Sequence, residues 1–289
     1  MTHRQRTALV LSASVVAMFA LAAFADLSIE LGLVSPVVEL GEPFDVTIRL
    51  MNTGETSVVT RDDALSVFML WPYLQLVRIL PDGIEIPIVS DRPVSSPSPS
   101  SRWIERDGVH VAVCPAGTVE PGATAEIRMS NVLRYLPIVD PGDYRLSLPL
   151  ELPTYSETFT DPAFGETLLI EVYNNDGLDT ANGSTEFSLV LSPGLTEEDV
   201  EWFRRGRGAF LNVSPVEDAV SAFAPPGGEA SEYVLACSEY WIGEAYQRFW
   251  ENDRAIESYE SVLSDYTDTL FASYAEARLG EIRGSGETP

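Results

Sequence analysis

The chain has 289 residues, of which 45% are hydrophobic and 10% aromatic, a composition that excludes a disordered polyelectrolyte and suits two modest packed domains. Forty-four acidic residues against eighteen basic ones leave a formal charge of −26, and every basic residue is an arginine. Such a surface serves solubility first; it repels phosphate backbones and anionic lipid, so it argues against nucleic acid as a partner and leaves cationic groups as the complementary class.

In chain order, Met1 to Arg6 carries Arg4 and Arg6 and no acid, Thr7 to Phe24 is apolar or small, and Ala23-Phe24-Ala25 stands just before Asp26. Basic end, apolar run and small-residue cleavage site predict a secretory signal peptide over residues 1–25 and export to the periplasm or extracellular space. The run is also long enough to serve as a retained span, so that alternative stays open. No later stretch approaches a membrane span. Cys114 and Cys237 fall in different parts of the chain. An interdomain disulfide and two buried thiols both remain open.

From Asp26 to about Pro193 the pattern is that of strands. Leu27, Ile29, Leu31 and Leu33 alternate, as do Phe44, Val46, Ile48 and Leu50, and then Ile84, Ile86 and Ile88. Turn signals separate the runs at Gly41-Glu42-Pro43, Asn52-Thr53-Gly54, Pro81-Asp82-Gly83, Pro121-Gly122 and Pro141-Gly142. Phe187, Leu189 and Leu191 make a last run. Two loop insertions are expected, a Ser/Pro-rich one at 90–101 and an acidic, turn-rich one at 154–183.

From 194 to 283 the period becomes helical. Thr196-Glu197-Glu198-Asp199 reads as a helix start, and Ser214-Pro215-Val216-Glu217 as a second one with a capping box and proline at the first helical position. Three further helices carry Tyr233 to Phe249, Ala255 to Tyr266, and Phe271 to Ile282. Residues 284–289 are expected to form a disordered tail. Gly206, Gly243 and Gly280 recur every 37 residues, and Ala219 and Phe223 correspond to Ala255 and Tyr259 at an interval of 36. Such a period points to stacked helical hairpins. Two and a half units cannot cover their own apolar face, so this segment is expected to pack on the strand part or on a partner.

Two resemblances follow from these residues. Leu40-Gly41-Glu42-Pro43-Phe44, Asn52-Thr53-Gly54, Val119-Glu120-Pro121-Gly122 and Asp140-Pro141-Gly142-Asp143-Tyr144 resemble bacterial immunoglobulin-like domains, although the Cys…Trp…Cys core of antibody domains is missing. Ile242-Gly243, Tyr246, Ala255 and Tyr259 resemble a tetratricopeptide repeat, with Glu239 in place of the usual tryptophan and Thr267 in place of the usual proline. The expected architecture is therefore multi-domain, β then α: an antiparallel Ig-like β-sandwich over 26–193, then TPR-like helical hairpins over 194–283. The resemblance implies a protein-binding scaffold in the bacterial cell envelope; a secreted adhesion or carbohydrate-binding module and a hydrolase are the alternatives.

Catalytic constellations are sparse. Past the leader the one histidine is His110, within the alternating Val109-His110-Val111-Ala112-Val113. There is no Gly-x-Ser-x-Gly elbow and no His-Glu-x-x-His helix. The reading is non-enzymatic, with no catalytic residue, cofactor or metal assigned. Asn174-Asn175-Asp176-Gly177 suggests calcium, but Val172 stands where the first loop ligand would be. The candidate binding residues are aromatic anchors and arginines on the helical repeats: Arg204, Arg207, Tyr240, Trp241, Tyr246 and Trp250, with the concave side of the array as the contact surface.

Overall fold

The computed structural model describes residues 27–61, 70, 73–88, 102–106, 109–154, 158–160, 167–170, 177–212, 215–225 and 230–285. The expected leader and the 90–101 loop lie outside the described residues, as do Asn174, Asn175 and Asp176 of the calcium-like turn. The N-terminal part is built of strands in antiparallel and mixed sheets, and the C-terminal part, among the described residues, of five helices.

One sheet joins β1 (Leu27–Leu33), β3 (Val46–Asn52) and β9 (Thr124–Met129), all antiparallel. Its alternation is the expected one. Leu27, Ile29, Leu31, Val46, Ile48 and Leu50 are buried, while Arg49 points outward to Glu126 at 2.9 Å. A second sheet has the order β2 (Val37–Glu39), β13 (Gly177–Val190), β10 (Gly142–Thr154), β5 (Gln75–Ile79), β6 (Glu85–Pro87). It is mixed because β2 runs parallel to β13. Apolar residues of the two sheets meet in one core, where Phe44 lies 5.1 Å from Phe187 and Phe187 stacks on Tyr144 at 5.5 Å. A third sheet holds β4 (Val58–Arg61), β8 (Val109–Val119), β12 (Thr167–Ile170) and β11 (Thr158–Thr160), with β7 (Arg102–Arg106) also on β8. His110 sits on β8, paired in register with Glu105.

Two strand expectations need correction. The stretch 154–183 is not an irregular insertion throughout: it contains β11 and β12, and β13 already begins at Gly177, paired with β10 from Thr154↔Gly177 to Gly142↔Leu189. The physical reason is visible at Ala181 and Gly183. These are inward positions of β13, and β1 crosses them so closely that a Cβ at Gly183 would lie 2.6 Å from Ile29 Cγ2. Small side chains replaced the apolar ones that would have marked a strand. Conversely, Ile84 and Ile86 alternate but are exposed, because β6 is a three-residue edge strand.

The helices are α1 (Glu197–Leu211), α2 (Val216–Phe223), α3 (Glu232–Arg248), α4 (Asn252–Asp265) and α5 (Leu270–Ser285). Thr196 starts α1 with a reciprocal capping box, accepting from Asp199 N–H at 3.2 Å while Asp199 accepts from Thr196 N–H at 2.7 Å. Helix α2 begins at Val216 after Pro215, which has no side-chain cap; Ser214 lies outside the described residues. Helix α5 runs through Gly284 and Ser285, two residues into the expected tail.

The recurring glycines have a steric cause. A Cβ at Gly206 would collide with the ring of Phe223, and one at Gly243 would lie 2.7 Å from Tyr259 Cε1. Each pair, α1 with α2 and α3 with α4, thus closes on the same contact between a bare helix backbone and an aromatic ring. Gly280 meets nothing within 4 Å.

Candidate functional site

The helical and strand parts meet along α1 and α3, and two loops make the junction. The first is the turn at Glu39–Glu42, closed by Glu42 N–H donating to Glu39 C=O at 3.0 Å, with Gly41 at φ +88°. Its carbonyls point at α3. Trp241 Nε1–H donates to Gly41 O at 2.9 Å and the Tyr233 hydroxyl to Leu40 O at 2.8 Å. Glycine is required at 41 on two counts, the left-handed φ and a Cβ position only 2.7 Å from Cys237 Sγ. The second loop holds Asn131, at φ +46°, and a short 3-10 turn over Val132–Arg134. Arg207 reaches across to donate to Leu133 O and, at 3.0 Å, to Leu136 O.

At the centre of this junction lies Glu244, fully buried. Its Oε1 accepts from the Tyr240 hydroxyl at 2.7 Å and from Arg278 Nε at 2.9 Å. Arg134 Nε approaches Oε2 at 2.7 Å as a charge contact without hydrogen-bond alignment. Asn131 Nδ2 stands 3.2 Å from Tyr240 Oη and 3.5 Å from Glu244 Oε1. Burial alone would raise the pKa of this carboxyl. The Arg134 and Arg278 guanidiniums, helped by the Tyr240 hydroxyl, outweigh it and hold Glu244 at about 2. One carboxylate therefore joins α3, α5 and the strand-part loop.

The sequence-derived candidates divide accordingly. Arg207, Tyr240 and Trp241 are fully buried, Arg207 lying 4.4 Å over the Trp241 ring and Trp241 stacking on Phe223 at 5.7 Å. Their polar groups are turned to the chain's own strand part. The faces of α1 and α3 that carry these residues meet the strand part. The reason is the one anticipated for a short array, an apolar face that must be covered. Arg204 is partly exposed and pairs with Asp140 at 2.6 Å and with Glu201. Tyr246 is nearly buried, under the Arg254 guanidinium at 4.1 Å. Trp250 is 87% exposed.

Sequence reasoning missed Asn131, Arg134, Glu244 and Arg278. A signal for Glu244 existed: it lies four residues after Tyr240, on the same helical face. Its repeat counterpart Glu281 is half-exposed and pairs with Arg278 at 2.5 Å, so equivalence in the repeat did not mean equivalence in burial. No disulfide joins Cys114 and Cys237; both thiols are buried, and burial pushes the Cys237 thiol up. Among the described residues no three His, Cys, Asp or Glu side chains converge as metal ligands, and no helix is long and apolar enough to cross a membrane.

No protein family model and no curated protein matches this chain. Solved structures with some likeness include the alkylpurine DNA glycosylase AlkC of Pseudomonas fluorescens bound to DNA containing an abasic site analogue, at 15% identity and a TM-score of 0.24. That match covers 57% of this chain and 30% of the glycosylase. The CARDB domain of a Pyrococcus furiosus protein, solved with di-metal ions, matches at 14% identity and a TM-score of 0.24, covering 58% of this chain and 96% of the domain. The sporulation control protein Spo0M of Bacillus subtilis matches at 12% identity and a TM-score of 0.26, covering 65% of this chain and 56% of its own. Likeness at this level assigns neither a fold family nor an activity.

Proposed function

We propose that this chain is an exported, non-enzymatic scaffold that meets a protein partner in the bacterial envelope, built as an immunoglobulin-like β-sandwich fused to a short tetratricopeptide-like array. The observation that carries the reading is the repeated glycine–aromatic contact, Gly206 on Phe223 and Gly243 on Tyr259, which closes two successive helix pairs in the same way. Stacked pairs of this kind present a continuous helical surface to other polypeptides. The sandwich reading draws support from Tyr144 near the start of β10, whose hydroxyl donates back to Asp140 O at 2.5 Å in the manner of a tyrosine corner. Export rests on the leader pattern of residues 1–25. With the α1–α3 face taken by the strand part, the surface left for a partner is the outer one, formed by α2, α4 and the turn between α3 and α4.

The test is crosslinking of the intact chain in its native host, followed by mass spectrometry. A dihydrazide reagent that couples carboxylates is needed, since the chain has no lysine. The expected result is recurrent links from exposed Glu217 on α2 and Glu257 on α4 to one or a few proteins. Links confined to the chain itself would contradict the reading.

A further inference from the structure

Trp250 ends α3 in a left-handed conformation, φ +64°, and its ring stands in solvent. The backbone around it forms a Schellman motif: Glu251 N–H donates to Tyr246 O at 3.0 Å and Trp250 N–H to Gln247 O at 3.1 Å. Glycine is the usual residue at this position, because a Cβ there costs about 1–2 kcal/mol. Those backbone bonds would form with glycine equally well. The chain instead carries its largest side chain where the backbone favours none, with almost no burial to offset the strain. Strained outliers of this kind cluster at binding sites.

The surroundings say what kind of group would meet the ring. Glu251 and Asp253 follow Trp250 directly, at the start of α4. Glu217 on α2 is close enough to act electrostatically on Arg254. Two cations are described at this corner against these three carboxylates, and both are engaged: Arg248, in the last turn of α3, lies 4.8 Å over the Phe210 ring, and Arg254 pairs with Glu251 at 2.8 Å and the Tyr246 hydroxyl at 2.6 Å. The corner is therefore net negative around an open indole face, the best aromatic acceptor for a cation. Its neighbour shows the same chemistry internally, with the Arg254 guanidinium laid over Tyr246.

We propose that the α3–α4 corner, with Trp250 at its tip, docks a basic segment of a protein partner: an arginine or lysine side chain lies on the indole face, and Glu251 and Asp253 meet its charge. This rests on the scaffold reading and names the partner's chemistry.

The test uses the intact chain, 15N-labelled, titrated with a capped hexa-arginine peptide while the five tryptophan indole N–H signals are followed. Hexa-glutamate and sodium chloride of equal ionic strength are the controls. The Trp250 signal, assigned with Trp250→Phe, is expected to move saturably with hexa-arginine alone, while those of buried Trp202 and Trp241 stay. Trp250→Gly, which suits the backbone, is expected to weaken binding by between about two- and thirty-fold, and Trp250→Phe by less. An unmoved Trp250 signal, or unchanged affinity in Trp250→Gly, would overturn the proposal. The crosslinking experiment separates the two failures. Partner links that persist undiminished in Trp250→Gly would sink this corner alone, whereas no links from the wild-type chain would sink the scaffold reading beneath it.

Discussion

Replacing Glu244 by glutamine removes one charge without changing shape, and the consequence can be worked from the structure. The wild-type carboxylate is fully buried between Arg134 at 2.7 Å and Arg278 at 2.9 Å. In Glu244→Gln the two guanidiniums face one another with no counter-charge between them. Breaking a buried ion cluster from one side costs about 3–5 kcal/mol. The depression of the Glu244 pKa from 4.5 to about 2 gives a similar figure, about 3 kcal/mol. Because the folded-state pKa lies below the unfolded one, this contribution is present above pH 4.5 and disappears as the pH falls toward 2. Urea unfolding of wild type and variant at pH 7 and at pH 3 measures both effects. The expected gap is several kcal/mol at pH 7, shrinking by about half or more at pH 3 as the wild type loses what the variant never had. A variant within about 1 kcal/mol of wild type at pH 7, the ceiling typical of an exposed pair, would refute the argument.

Other substitutions probe the same architecture. Gly243→Ala places a methyl 2.7 Å from Tyr259 Cε1 and should lower stability by about 1–3 kcal/mol, read as a drop in the thermal midpoint. Gly41→Ala combines a left-handed φ with a clash on Cys237 and should loosen the junction, seen as faster hydrogen exchange at the Trp241 indole. Trp250→Gly should raise stability by about 1 kcal/mol in urea, since it relieves a strained φ and forfeits almost no burial. Cys237, buried with its thiol pushed up, should resist thiol reagents until the chain is unfolded; a fast native reaction would mean that the junction opens.

Much of the local structure was legible in the sequence. The alternation of Val46, Ile48 and Leu50 marked a half-buried strand, and Asn52-Thr53-Gly54 marked its turn, where Gly54 N–H donates to Asn52 Oδ1 at 3.0 Å. The 37-residue spacing of Gly206 and Gly243 located the helix pairs, because close helix contact leaves no room for a side chain. What was not legible is where the two parts touch. Tyr240 and Trp241 looked like anchors for a partner because an unpaired apolar helix face reads the same whether another protein or the same chain covers it. Residues 181–183 were hidden because a strand crossed closely by another carries small inward residues, here Ala181 and Gly183, and alternation of size disappears with them. Glu244 was hidden by its charge, which local pattern assigns to the surface; only two arginines from distant parts of the chain make its burial tolerable.

The most direct check on the whole account is the folding of residues 194–289 expressed alone, followed by circular dichroism and thermal unfolding beside the intact chain. With its Trp241 face bared and Glu244 deprived of Arg134, the fragment should show weak helicity and no cooperative transition. A monomeric fragment that unfolds sharply, near the midpoint of the intact protein, would mean that the helices do not depend on the strand part and that their inner face is open to others.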